Sequence, residues 1–340
     1  MHGRLPTCAL LCALAFPWPA EAAAQPAKDL SVELIFGGAL EGTPPSDYAW
    51  SDAWTHLAFL RRETAESPHL LQLFDAATSQ TVTLSLPHSG DKPLDVESFS
   101  WSPDGGAILA LAGGDLYLVS TSSESGTRRL TETVAAESNA RVSPDGKRVA
   151  FVRDHDLFLL DLATGRERAL TQGRVDGIQN AEIDWVYDEE FEIADGWLWS
   201  PDSSRIAYLQ FDERPVPTYP IVDWIPTHPE VEPQRYPKSG DPNPIVRLGI
   251  VAVGSSGKAA PTTLWLDLGR ETDQYIPRFA WTGDGGSVAV QRLNRDQTRL
   301  ELLFCDPAKG TCRGVLEERD DKWINIGDDW RFLNAGAGGA

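Results

Sequence analysis

Asn139-Ala140-Arg141-Val142-Ser143-Pro144-Asp145-Gly146-Lys147-Arg148-Val149-Ala150-Phe151-Val152, continued to Thr171, is the stretch that decides the fold. Asn139–Ser143 reads as a strand and Pro144-Asp145-Gly146 as a tight turn, with Arg148–Val152 as the returning strand. Asp156–Leu162 gives a third strand, Ala163-Thr164-Gly165 a second turn and Arg166–Thr171 a fourth strand. Proline and glycine fall where such turns need a fixed or a positive φ. Four short strands in about forty residues are the unit of a β-propeller blade. The same punctuation recurs at Trp50-Ser51-Asp52, Trp101-Ser102-Pro103-Asp104-Gly105, Trp199-Ser200-Pro201-Asp202 and Trp281-Thr282-Gly283-Asp284-Gly285. A β-sandwich would explain the strands but not their self-similarity. The sequence therefore predicts an all-β propeller of four-stranded blades, with about five blades and part of a sixth present and a short helical insertion carrying Glu189 and Glu190.

Composition agrees with many turns: 29 glycines and 24 prolines occur in 340 residues, and 12 tryptophans help supply a core. The formal net charge of −20 argues against nucleic acid or an anionic membrane as partner and would attract a cationic ligand. Met1-His2-Gly3-Arg4, the apolar run Leu5–Phe16 and Ala22-Ala23-Ala24 have the form of a secretory signal with an A-x-A cleavage site. The run is too short to span a bilayer. We expect a signal peptide over 1–24, a lead-in segment over 25–47, the propeller over 48–340, and export to the periplasm or medium. Cleavage would leave Cys305 and Cys312, which flank a hairpin turn and so face each other at disulfide range. Two cysteines without a nearby histidine cannot complete a zinc site, and nothing else suggests a metal or cofactor.

Two repeat spacings are swollen. Val142 and Trp199 are 57 positions apart and enclose Asp184-Trp185-Val186-Tyr187-Asp188-Glu189-Glu190-Phe191. Trp199 and Trp281 are 82 apart and enclose the proline-rich Arg214–Pro244. Insertions into repeat folds gather on functional edges. Adjacent Glu189 and Glu190 cannot both be core residues, since unpaired buried charge costs several kcal/mol. Neighbours on a long helix diverge by about 100°, so the pair converges on one partner only from a short turn or a helix end. A converging pair requires a cation, and a substrate ammonium is one; a solvated acidic face is the other reading.

The segment Trp185–Phe191 resembles the Trp-Val-Tyr-Glu-Glu-Glu segment of the dipeptidyl peptidase IV family. The likeness continues through Trp199-Ser200-Pro201-Asp202, Ile206-Ala207-Tyr208, Phe211-Asp212-Glu213, Val216-Pro217, Arg235-Tyr236-Pro237-Lys238 with Gly240, and Asn243-Pro244-Ile245-Val246-Arg247-Leu248. It runs from about Tyr48 to Leu333. The resemblance implies a serine exopeptidase that releases N-terminal dipeptides after proline or alanine, with an eight-bladed ring. It also implies that Glu189 and Glu190 bind the free amine of the peptide substrate, and that the insertion aligned with Arg214–Pro244 helps form a homodimer. Asp188 stands where the family often has glutamate.

No Gly-x-Ser-x-Gly nucleophile elbow occurs in the chain, and the six histidines are scattered. We therefore expect the 340 residues to supply the propeller and its amine-binding glutamates, to lack the Ser-Asp-His domain, and to be inactive alone. Because Trp330-Arg331-Phe332-Leu333 opens a repeat that Asn334–Ala340 halts, a truncated reading frame is expected. The alternative is a standalone propeller that binds peptides or partner proteins without catalysis.

Overall fold

The computed structural model describes residues 31–32, 43–122, 126–172, 175–193, 195–254, 261–327 and 331–332. The expected signal peptide, most of the lead-in and nearly all of the sixth repeat lie outside them. The unit described below is Thr43–Ala340.

Among the described residues, five antiparallel sheets of four or five strands follow one another along the chain. Blade 1 holds β1 (Ser46–Trp50), β2 (His56–Arg61), β3 (Leu70–Asp75) and β4 (Gln80–Thr83), followed by a small hairpin, β5 (His88–Ser89) and β6 (Lys92–Pro93). Blade 2 holds β7 (Val96–Trp101), β8 (Ala107–Ala112), β9 (Asp115–Ser120) and β10 (Thr127–Arg129). Blade 3 holds β11 (Glu137–Val142), β12 (Arg148–Arg153), β13 (Asp156–Asp161) and β14 (Glu167–Ala169). Blade 4 is interrupted twice: β15 (Ile178–Asn180), the helix α1 (Trp185–Phe191), β16 (Trp197–Trp199), β17 (Arg205–Asp212), the hairpin β18 (Thr218–Asp223) and β19 (Glu230–Arg235), then β20 (Ile245–Ala252) and β21 (Leu264–Trp265). Blade 5 holds β22 (Gln274–Trp281), β23 (Val288–Asn294), β24 (Arg299–Cys305) and β25 (Cys312–Arg319).

The apolar core lies between blades, in four layers, because the middle strands are buried on both faces. On β12, Val149 and Phe151 pack toward blade 2, while Ala150 and Val152 pack toward blade 4. That split follows from the two-residue period of a strand. Blades 1 and 2 share the layer of Leu60, Leu71, Ile108 and Val119, and blades 4 and 5 share that of Leu209, Leu248, Ile276 and Val290.

The repeated turn explains itself chemically. The Ser102 hydroxyl donates to Asp104 at 2.6 Å and accepts the N–H of Ala107 at 2.9 Å. Ser143, Ser200 and Thr282 make the same pair of bonds in blades 3, 4 and 5. The hydroxyl bond, helped by a backbone N–H two residues on, holds the carboxyls of Asp104, Asp202 and Asp284 below their usual range, Asp202 at about 2. Gly146 closes its turn at φ +70°. The tryptophan before the turn joins blades: the Trp101 indole donates to Ala49 O (2.9 Å), Trp199 to Arg141 O (3.4 Å) and Trp281 to Leu198 O (3.2 Å).

Cys305 and Cys312 face each other across β24 and β25 with Cα atoms 4.0 Å apart and are joined by a disulfide.

Candidate functional site at the interrupted first strand of blade 4

The first strand of a blade bulges in each uninterrupted case. In blade 3, Asn139 and Ala140 stand opposite Phe151 alone, between the pairs Ser138↔Val152 and Arg141↔Ala150. Blade 1 does the same with Asp47 and Tyr48, and blade 5 with Ile276 and Pro277. Blade 4 does it with residues 181–196: Asn180 pairs Gln210, Trp197 pairs Tyr208, and only Leu209 lies between. Leu209 closes the gap itself, its carbonyl accepting from Ala181 and its N–H donating to Gly196, both at 2.8 Å. Ala181 has φ +63°, as Asn139 (+44°) and Asp47 (+55°) have at the same ladder position. The two ends of the excursion meet so closely that a Cβ on Gly196 would sit 2.3 Å from Ala181 O.

A seven-residue helix cannot persist alone, so α1 depends on its cap and its packing. Asp184 is the N-cap, accepting from the N–H groups of Tyr187 (3.2 Å) and Val186 (3.4 Å). Burial pushes its carboxyl up to about 7 despite those two bonds. Val186, Tyr187 and Phe191 enter the layer between blades 4 and 5, where Tyr187 meets Phe211 edge-on at 4.8 Å and Phe191 meets Tyr275 at 4.9 Å. Glu192 ends the helix in the left-handed region at φ +51°.

Asp188, Glu189 and Glu190 are exposed on the opposite side, the two glutamates in the last turn. Among the described residues neither glutamate has an ion-pair partner, and α1 carries no basic residue in that turn. The unpaired carbonyls of a helix C-terminus add to such a negative potential. Glu190 lies close enough to the Tyr275 hydroxyl to help keep its proton on, behind burial as the larger cause. A cavity of about 1070 Å³ adjoins the N-terminal end of α1, lined by His155, Asp184, Trp185, Glu213 and Arg235 among others, and one of about 320 Å³ lies beyond its C-terminal end, against Glu192, Pro277 and Arg278. Neither is lined by Glu189 or Glu190; the pair faces open solvent. No cluster of metal-ligating side chains occurs among the described residues.

Several contributors escaped the sequence reading. Asp184 had a local signal, an aspartate at the start of a helical run. The Tyr187 hydroxyl, Gly196 and Arg278 had none, because their partners are set by the ladder. The Arg214–Pro244 insertion is largely the hairpin β18–β19, with Pro220 opposite Pro233 and Tyr236 packed on Trp185 at 4.6 Å.

This architecture, four-stranded antiparallel blades in series with a short acidic helix inserted into one first strand, is that of a β-propeller. The chain belongs to the family described as the dipeptidyl peptidase IV (DPP IV) N-terminal region, which matches residues 113–339. It is 30% identical over 216 residues to a probable dipeptidyl-aminopeptidase B of Phaeosphaeria nodorum, covering 58% of this chain and 23% of that protein. It is 34% identical over 196 residues to dipeptidyl peptidase 4 of Trichophyton rubrum, covering 55% and 24%. The crystal structure of Porphyromonas gingivalis dipeptidyl peptidase 4 superposes with a TM-score of 0.70 at 25% identity, over 87% of this chain and 43% of that one. The chain thus spans about a quarter of the length of these curated relatives. No described helix is long and apolar enough to cross a membrane.

Proposed function

We propose that this chain is the propeller portion of an exported serine exopeptidase of the dipeptidyl peptidase IV type, in which Glu189 and Glu190 bind the free amine of a peptide substrate. The observation that carries the reading is the pair itself: two exposed carboxylates without a described ion-pair partner, in the last turn of a helix whose other face is locked into the blade 4–5 layer. An ammonium presents three donors and one charge to such a pair. Fixing the amine sets the distance to the bond that is cut, which is how an exopeptidase counts two residues. The Ser-Asp-His machinery would come from another part of the whole enzyme. Glu189→Gln or Glu190→Gln in the full-length peptidase should lower kcat/KM by on the order of 10²-fold while thermal stability holds. Equal cleavage of free and N-acetylated peptides would overturn the reading. Activity of the isolated chain on a Gly-Pro chromogenic substrate would overturn its assignment as the non-catalytic portion.

The hairpin β18–β19 exposes Ile221, Trp224, Ile225 and Val231, which suits a homodimer contact. Deleting 216–240 from the full-length enzyme should then weaken the dimer in sedimentation. Export predicts that the mature protein begins close to residue 25, which N-terminal sequencing checks.

A further inference from the structure

The helix α1 grows from blade 4 but is not held by blade 4 alone. In the bulge of β22, Ile276 and Pro277 share the single partner Arg292, so the Ile276 N–H is left out of the ladder and Pro277 has none to offer. Ile276 is fully buried, and an unused N–H there would be costly. It donates instead to the Tyr187 hydroxyl at 2.8 Å. Tyr187 is itself buried, and burial raises its hydroxyl well above the ordinary range, so it stays a neutral phenol. One ladder step further, Arg278 donates to Phe191 O at 3.0 Å, taking up a terminal carbonyl of α1. Blade 3 uses the same ladder position: Arg141, the residue after its bulge, pairs with Asp195 on the returning limb of the excursion. His155, in the turn between β12 and β13, pairs with Glu182 on the outgoing limb at 2.5 Å.

We infer that Tyr187 and Arg278 are positioning residues for Glu189 and Glu190: the bulge of blade 5 is the socket that registers α1, while blade 3 ties the two limbs that lead to it. This rests on the amine-binding reading for its purpose, though not for its geometry. The glutamates are therefore set against a blade that follows them by some ninety residues, and a change at the blade 4–5 boundary moves them without touching them.

The test uses the 340-residue chain and two variants, Tyr187→Phe and Arg278→Gln. Tyr187→Phe keeps the ring and deletes the acceptor for Ile276; Arg278→Gln releases the Phe191 carbonyl without entering the core. Amide hydrogen exchange should rise roughly tenfold or more in 185–191 and 274–279 in both variants, and stay within about twofold over β2 and β3. Exchange unchanged in 185–191, or raised equally in blade 1, overturns the inference; if Tyr187→Phe unfolds the chain, Arg278→Gln alone decides. A second measurement compares the affinity for Gly-Pro-Ala with that for its N-acetylated form. A purely structural role leaves that ratio unchanged, whereas positioning predicts that both variants lower it severalfold. If the wild-type chain does not distinguish the two peptides, the amine-binding reading fails, and the registration of α1 is still decided by exchange.

Discussion

Blades 3 and 4 break their first strands at the same rung of the ladder and differ in what fills the break. Blade 3 spends two residues, Asn139 and Ala140, and returns; blade 4 spends sixteen, including a helix, and returns to the equivalent rung. In both, one residue of the second strand faces the whole excursion. A bulge is already a place where the ladder gives up a pair, so lengthening it adds loop entropy that grows slowly and disturbs no further pair. The candidate site is an enlarged version of a defect the other blades also carry.

The two breaks contrast most strongly at the residue that closes each of them. Gly196→Ala should destabilise the chain by more than about 4 kcal/mol in urea denaturation, because the new methyl meets the Ala181 and Glu182 carbonyls. Its blade 3 counterpart already carries a methyl, and Ala140→Gly should cost only about 1 kcal/mol. An equal cost at both sites would mean that the two breaks are not equivalent.

The second difference is electrostatic. Blade 4 buries the carboxyl of Asp184 as a helix cap, and the folded state holds its proton to about pH 7 while the unfolded chain loses it near 4. The unfolded state therefore binds fewer protons between those values, so stability falls as pH rises from about 4 to 7. Asp184→Asn keeps a capping side chain and removes the titration. Relative to wild type it should gain roughly 2–4 kcal/mol on going from pH 4.5 to 8, read from urea midpoints. Parallel pH profiles would show that Asp184 is ionised in the fold.

Trp199 marks a smaller contrast. Its indole reaches the Arg141 carbonyl in blade 3, whereas Val142, at the same position of blade 3, offers no such donor. Trp199→Phe should cost about 1 kcal/mol and raise exchange at the blade 3–4 boundary before any other. The smallest effect belongs to the end of α1. Glu192 occupies the left-handed region that glycine prefers, so Glu192→Gly should stabilise by up to about 1 kcal/mol. A loss there would show that the Glu192 side chain contributes more than its backbone strain removes.

The blades were legible in the sequence because the Ser-Pro-Asp-Gly turn encodes its own hydrogen bonds within five residues, as Ser143, Asp145 and Arg148 show. Short-range chemistry of that sort survives in a one-dimensional reading. The hairpin β18–β19 was less legible, since proline normally argues against strands; a two-stranded ribbon has outward edges that need no donor, and Pro220 and Pro233 sit there. The glutamates are legible through resemblance, and their place on a short helix follows from the divergence of neighbouring side chains on a longer one. Their anchors were invisible. Tyr187 finds Ile276 only because two blades happen to be neighbours, and no spacing along the chain announces that.

The four separate core layers keep damage local. A protein with a single centre shares any injury among all its parts, whereas here a blade answers only to the blades beside it. Leu60 and Leu71 belong to a layer that α1 never enters. Substitutions far along the row are thus screened from the glutamates.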